Sequence, residues 1–188
     1  MSHQFSKLMF TDNVKAVQQE FGSREQQQKF SERAPANDEL TDREAHFIAA
    51  RDTFYLATVN EVGWPYVQHR GGPTGFLRVL GPRQLAYADF RGNTQLVSMG
   101  NVRNNDRASL ILMDYPNRKR LKILGHLRYE DVRNCPPGHL AAVELGGYKA
   151  RIERLVYLDV VAFDWNCPQH ITPRFTKNEI EAMLNETA

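Results

Sequence analysis

Short stretches of strand-forming sequence follow one another between residues 53 and 163, and they constrain the fold more than any other feature. Their residues are apolar or alternate between apolar and polar, as in buried or half-buried β-strands. Tight turns rich in glycine and proline join most of them, so neighbouring strands are expected to run antiparallel. The predicted strands cover residues 53–60, 64–70, 76–80, 85–90, 107–115, 121–129 and 154–163. This pattern predicts a mainly β fold with flanking helices, built around an antiparallel barrel.

The segment before the strands is polar and helical in character. Residues 12–22 and 23–33 predict two helices, the second of them exposed, and residues 34–38 form a linker. Thr41 and Glu44 then have the spacing of a capping box and predict a third helix. We expect two parts of the chain, an N-terminal helical extension over residues 1–40 and one barrel domain over residues 41–188.

Charge and composition exclude several classes of partner. The 188 residues include 24 basic and 22 acidic side chains, a net charge of +2, so no strong field favours nucleic acid or membranes. No apolar run reaches the ~20 residues that span a bilayer. The N-terminus lacks the apolar core of a signal peptide, and two cysteines are too few for a disulfide framework. We therefore expect a cytoplasmic protein without a nucleic-acid or membrane partner.

The change from strand to helix near residue 90 predicts an anion site. The strand that begins at Leu85 stops at Arg91-Gly92-Asn93, where Gly92 gives backbone freedom and Asn93 is a natural N-cap. A helix over residues 94–102 would direct unpaired N–H groups and a positive dipole end toward the turn. A phosphate suits such a place, although an ordinary capped helix explains the same residues.

A second group of candidate ligands ends the second predicted strand. Arg70 matches phosphate geometry, and Gln68 and His69 add further donors. Because side chains alternate along a strand, His69 should face away from the other two. Gly71 lets a flat ligand approach the backbone closely. The alternative is a solvated strand end without a ligand.

The C-terminal segment from Trp165 to Arg174 contains further reactive residue types. Cys167 and His170 have a spacing seen in metal sites, but two ligands do not make a zinc site, and no metal is expected. Trp165 either contacts a ligand or fills the core. Residues 118–120 form a basic run before a predicted strand, and such runs are usually solvated turns. Arg120, the residue closest to the strand, is the candidate ligand.

Three motifs together resemble the pyridoxamine 5'-phosphate oxidase-like family of FMN-binding split barrels, in particular its uncharacterised flavin-nucleotide-binding branch. They are Tyr66–Pro73, Ala88–Asn93 and Trp165–His170. The resemblance covers roughly residues 41–175. It implies a six-stranded antiparallel Greek-key split barrel and a homodimer with FMN at the subunit interface.

The resemblance also implies roles for single residues. The family's phosphate-binding Ser-Arg-Lys turn matches Gly92-Asn93-Thr94, so neutral donors replace two cations and Arg70, Arg91 and the helix N-terminus carry more of the charge. Trp165 and Arg174 match residues that approach the flavin from the partner subunit. Together with the local reasoning, this gives the expected cofactor-binding residues Gln68, His69, Arg70, Gly71, Phe90, Arg91, Asn93, Thr94, Gln95, Arg120, Trp165 and Arg174.

Two departures from the family bear on the substrate. Residues 131–149 lack the Tyr, Arg and Ser cluster that the oxidases use on the vitamin's phosphate, and Gln169-His170-Ile171 stands where they carry Arg-Leu-His. The expected function is an FMN-dependent oxidoreductase that acts on another small molecule and is not a true pyridoxamine 5'-phosphate oxidase. His170, or His69, is the candidate to move a proton. The alternative is a non-catalytic flavin or haem binder for storage or sensing.

Overall fold

One antiparallel sheet forms the centre of the computed structural model, which describes residues 3–186. Its strands are β1 Thr53–Val59, β2 Pro65–Gly71, β3 Arg78–Gly81, β4 Gln84–Phe90, β5 Arg107–Asp114, β6 Lys119–Asp131 and β7 Ile152–Trp165. They lie in the order β2-β1-β5-β6-β7-β4-β3. The predicted fold class is confirmed, with seven strands in the sheet where six were expected.

The sheet curls so that its two ends approach each other. Strands β2 and β4 stand at opposite sides of the sheet order, yet Arg70 of β2 donates to Asp89 of β4 at 2.6 Å. Between them, Phe54 of β1 stacks on Phe76, with ring centres 5.5 Å apart, and both rings are buried. The core therefore lies inside the curl.

Strand β5 differs from its prediction. Its sequence is apolar at nearly every position and predicts burial on both faces, but only alternate residues are buried. The side chains on its other face, including Ile111 and Met113, are half-buried. The sheet thus presents a partly covered apolar face outside the core.

Seven helices flank the sheet in the described residues. They are α1 Gln4–Met9, α2 Asp12–Glu20, α3 Arg24–Arg33, α4 Asp42–Ala49, α5 Val97–Asn104, α6 Pro137–Val143 and α7 Lys177–Glu186. The sequence did not predict α1 and α7. Helix α1 packs on β7, and the buried backbone of His3 donates to Ser31 at 2.9 Å. No helix within residues 3–186 has both the length and the apolar character needed to cross a membrane.

The predicted start of α5 was wrong by three residues. The helix begins at Val97 instead of Thr94, because Thr94 and Leu96 adopt left-handed backbone conformations with φ of 57° and 55°. Such residues cannot belong to a right-handed helix. The freedom assigned to Gly92 is also not used, since its φ is not positive, and Asn93 instead accepts a bond from the backbone N–H of Gln95 at 3.2 Å.

Candidate functional site

A small cavity lies where the curled ends of the sheet meet α5. It is lined by Tyr66, Gln68 and Arg70 of β2, Asp89 and Phe90 of β4, residues 92–99, Tyr129 of β6 and Arg154 of β7. Its volume is about 60 Å³, whereas one water molecule takes about 30 Å³ in the liquid. We call this cavity, which has room for a phosphate-sized group, the arginine cavity.

Two arginines share one carboxylate at the base of the arginine cavity. Arg70 donates to Asp89 at 2.6 Å and Arg154 donates to the other carboxylate oxygen at 2.8 Å. Glu153 adds a second carboxylate, 3.3 Å from Arg154 and 3.8 Å from Arg91. The charged side chains that line the cavity are Arg70, Arg154 and Asp89, a net charge of +1, whereas Glu153 and the exposed Arg91 lie outside its lining.

Polar groups next to Arg70 are buried without hydrogen-bond partners in the described part of the chain. They are the Nε of Arg70 and the hydroxyls of Tyr87 and Tyr129, which lie near one another without bonding geometry. Burial raises the pKa of both tyrosines, so their hydroxyls remain protonated and can donate. Leaving such a group unpaired costs about 1–3 kcal/mol. Tyr129 lines the cavity, so its hydroxyl can meet an anion there.

Residues of the loop between β4 and α5 line the same cavity. Left-handed residues at Thr94 and Leu96 turn the chain sharply, and successive backbone N–H groups in turned conformations make concave anion sites. Gln68 holds the adjacent helix in place, because its side-chain oxygen accepts from the hydroxyl of the buried Ser98 at 3.1 Å. The cavity thus combines two arginine side chains with a sharply turned loop.

A second, larger cavity contains Trp165 and shares no lining residue with the first. It is lined by Arg43, His46, Phe47, Arg51, Asp114, Asn117, Arg118, Lys119, Trp165, Asn166 and Pro168, and its volume is about 500 Å³. We call it the tryptophan cavity. Four of its side chains are cationic and one is acidic, so it is also positive.

Glu44 fixes the ring of Trp165 at the edge of the tryptophan cavity. Its carboxylate accepts from the indole N–H at 2.7 Å and from the backbone N–H of Thr41 at 3.1 Å. Burial alone would raise the pKa of Glu44, but these hydrogen bonds outweigh burial and the pKa is lowered. The predicted capping box thus also holds the aromatic side chain of β7.

The structure brings together only part of the predicted site. The arginine cavity contains Gln68, Arg70, Phe90, Asn93, Thr94 and Gln95. Trp165 lies in the tryptophan cavity, and Arg120 pairs with Asn166 beside it, where the backbone N–H of Asn166 donates to the Arg120 carbonyl at 3.3 Å.

The remaining predicted residues line neither cavity. His69 faces outward, as its alternation predicts, with its ring Nε2 2.6 Å from the hydroxyl of Thr53. The neighbouring Gly71 and the exposed Arg91 also lie outside both cavities. Arg174 lies over the ring of Tyr115 at 5.0 Å, and His170 is exposed with a φ of 63°.

The residues of the arginine cavity that sequence reasoning missed include Asp89, Tyr129 and Arg154. Asp89 carried a usable signal, since a carboxylate inside an apolar strand is rarely buried without a cationic partner. Its partner could not be named, because Arg154 is 65 positions away. Within residues 3–186, no three His, Cys, Asp or Glu side chains group as a metal site would require.

Comparisons with known proteins agree with this architecture. The family model described as pyridoxamine 5'-phosphate oxidase matches residues 40–133, half of the chain. No functionally curated protein is significantly similar in sequence.

Solved structures of low sequence identity share the fold. HupZ of Group A Streptococcus is 13% identical, with 72% of this chain and 99% of that chain covered and a TM-score of 0.54. A candidate pyridoxamine 5'-phosphate oxidase from Lactobacillus delbrueckii is 19% identical, with 68% and 94% covered and a TM-score of 0.51. The conserved hypothetical protein Rv2991 from Mycobacterium tuberculosis is 16% identical, with 77% and 96% covered and a TM-score of 0.50.

Proposed function

Because the chain belongs to the pyridoxamine 5'-phosphate oxidase family, we propose that it binds FMN and serves as an FMN-dependent oxidoreductase for a small molecule other than pyridoxamine 5'-phosphate. The observation that carries the proposal is the shared carboxylate of Arg70 and Arg154, with its excess positive charge beside a cavity of phosphate size. A phosphate monoester supplies the negative charge that this cluster lacks.

The residues of the arginine cavity would hold the phosphate. Arg70 and Arg154 supply charge, Tyr129 supplies a hydroxyl donor, and the loop around Thr94 supplies backbone N–H groups. When bound, FMN supplies the electron-transfer chemistry, and the chain supplies binding, orientation and the charge around the ring.

We propose further that the flavin ring lies between two copies of the chain. Trp165 does not line the arginine cavity and belongs to a separate cavity of the same chain. The family resemblance implies that both sets of residues contact one flavin. A homodimer in which the tryptophan cavity of one copy faces the arginine cavity of the other reconciles these observations.

The cofactor is tested by the visible absorption spectrum of the purified protein, before and after addition of FMN and desalting. Arg70→Ala and Arg154→Ala should each weaken FMN binding about 10- to 100-fold, since hydrogen bonds to charged groups contribute ~1.5–3 kcal/mol. Arg103→Ala, an exposed residue at the end of α5, is the matched control. Equal affinity for FMN in all three variants would contradict the binding of its phosphate in this cavity.

A binding protein without catalytic activity is the alternative within the same family. Steady oxidation of a reduced nicotinamide nucleotide by the FMN-loaded protein with an added acceptor separates the two. Retention of FMN without turnover favours storage or sensing. An intense Soret band in place of flavin bands would favour haem, although no histidine among the described residues lines the arginine cavity.

A further inference from the structure

We propose that His3 is a pH-sensitive switch, whose neutral ring holds helices α1 to α3 against the barrel and whose protonation releases them. These helices precede residue 40, where the matched family model begins, and His3 lines neither the arginine cavity nor the tryptophan cavity. The switch therefore goes beyond the proposed FMN-dependent function and does not depend on it.

The side chain of His3 lies at a buried point where four parts of the chain meet, and only 1% of the residue is exposed. The backbone N–H of His3 donates to Ser31 of α3 at 2.9 Å, and its ring meets the ring of Phe30 edge to face, with centres 5.1 Å apart. The side chain of Asn37, in the linker, lies 3.1 Å from the ring Nε2. The carbonyl of Asn37 in turn accepts from Phe163 of β7 at 2.8 Å. One imidazole thus joins α1, α3, the linker and β7.

Helices α2 and α3 depend on this junction because they have no core of their own. None of their side chains, all of which the structure describes, is buried. They have 9 and 10 residues, fewer than the ~12–15 that an isolated helix needs to be stable. Helix α1 packs on β7, and its Phe5 lies under the ammonium of Lys122 at 4.4 Å. The position of the three helices therefore rests on α1 and on the ring of His3.

The hydrogen bonds of the ring suit its neutral form. Each ring nitrogen has an N–H donor beside it, because the backbone of Ser6 donates to Nδ1 at 3.3 Å and the side-chain nitrogen of Asn37 lies next to Nε2. A neutral imidazole keeps a lone pair on one nitrogen and can accept one of these bonds. The protonated ring carries a hydrogen on both nitrogens and can accept neither.

The charges around the ring also favour the neutral form. Among residues 3–186, Asp164 of β7 and Lys122 of β6 are the charged groups that face it, whereas α1, α3 and the linker present uncharged ones. The carboxylate of Asp164 is 3.9 Å from Nε2, beyond hydrogen-bond distance, and Lys122 pairs with it at 3.1 Å. Burial and the charge of Lys122 outweigh the attraction of Asp164 and lower the pKa of His3.

The direction of the switch follows from this lowered pKa. A released ring titrates at its ordinary pKa of ~6.5. The docked state binds the proton less readily than the released state, so docking is strongest above pH ~6.5 and weakens as the pH falls toward the lowered pKa. Mild acid therefore shifts the equilibrium toward release.

Release of α1 would open the outer face of the sheet. Leu8 and Met9 of α1 form one wall of a cavity of about 510 Å³, and the sheet side of this cavity includes Ala57, Leu124 and Val161. All five side chains are apolar. When α1 moves away, the partly covered apolar face of the sheet loses this wall and becomes accessible.

Hydrogen exchange of the full chain tests the switch, with intrinsic exchange rates corrected at each pH. Between pH 8 and pH 5.5, the amides of α1 should lose up to about tenfold of their protection. That is the limit for a group with an ordinary pKa of ~6.5 that stays neutral while docked. Strand β5 should keep its protection. Protection of α1 that does not change over this range would overturn the proposal.

Asn37→Asp tests the mechanism, because it places a carboxylate beside Nε2 and favours the protonated ring. In this variant the protection of α1 should stay constant or rise as the pH falls. His3→Gln removes the titrating group, so its protection should not depend on pH between 8 and 5.5. His139→Gln, an exposed histidine outside α1 to α3, is the matched control and should behave as the unmodified protein does. Unchanged acid release in His3→Gln or Asn37→Asp would overturn the proposal.

Discussion

Asp89 is the residue on which the arginine cavity depends most. It is buried, with 5% of its surface exposed, and it receives hydrogen bonds from arginines of two different strands. A buried carboxylate between two guanidinium groups fixes both of them, so the donors that face the cavity are held in position before a ligand binds.

Asp89→Asn should destabilise the protein by about 3–5 kcal/mol, because it leaves buried positive charge without compensation. Urea unfolding measures this loss. Added inorganic phosphate should restore part of the stability of the variant, since a bound anion supplies the missing charge. The exposed pair of Asp12 and Lys15 provides the control, and Asp12→Asn should change stability little. A phosphate effect equal to that on the unmodified protein would argue against anion binding in the cavity.

Glu44 should make stability depend on pH in the acidic range. Its pKa is lowered in the folded protein, so its contribution is present above the unfolded pKa of ~4.3 and disappears as the pH falls through the folded value. Glu44→Gln should therefore lower Tm at neutral pH, and the difference from the unmodified protein should shrink below pH ~4. A Tm difference that stays constant with pH would contradict the role of its charge.

The sequence allowed individual site residues to be predicted only where local motifs marked them. Arg70 and Asn93 stand beside turns whose composition indicates a ligand, and both line the arginine cavity. Arg154 has no such motif. It lies in a long strand, and its role follows from the register that sets it opposite Asp89. Pairing over such distances along the chain cannot be read from local pattern.

At the scale of elements, the strands were predictable because short apolar or alternating segments bounded by turns are typical of β-strands. The start of α5 was not, because Thr94 and Leu96 adopt left-handed conformations that residues of these types rarely adopt, so composition does not indicate them. Helices α1 and α7 escaped prediction for another reason. They have 6 and 10 residues, and short helices depend on packing more than on their own sequence.

Gly125 marks an irregularity between β6 and β7 that the fold needs. A Cβ at this position would lie 2.4 Å from the carbonyl oxygen of Asp159, where the register of the two strands shifts. Gly125→Ala should therefore destabilise the protein by about 1–3 kcal/mol, as overpacking does.

Gly100 is the matched control for this substitution. It lies in α5 with open space around its Cβ position, so Gly100→Ala should stabilise the protein by about 0.5–1 kcal/mol. Chemical denaturation of both variants measures the two effects. Similar changes for both would show that the close approach at Gly125 is relieved by movement of the strands.

At the scale of the whole molecule, strand β2 and its adjoining turn carry exposed apolar side chains that indicate an interface. It stands at one end of the sheet order, and it exposes 62% of Val67. Val62 and Trp64, in the adjoining turn, are 74% and 72% exposed. An edge strand with apolar side chains is a surface that proteins usually cover. A second copy of the chain is the occupant that the proposed shared flavin site requires.

Val67→Glu should then convert the dimer into a monomer and weaken FMN binding, because a monomer lacks the partner's tryptophan cavity over the ring. Val17→Glu introduces the same charge at a side chain of similar exposure, 53%, in helix α2 and should change neither property. Sedimentation velocity and FMN titration on the same samples measure both properties. A Val67→Glu variant that is monomeric but binds FMN normally would mean that one chain holds the whole cofactor. A dimer that survives the substitution would exclude β2 as the interface.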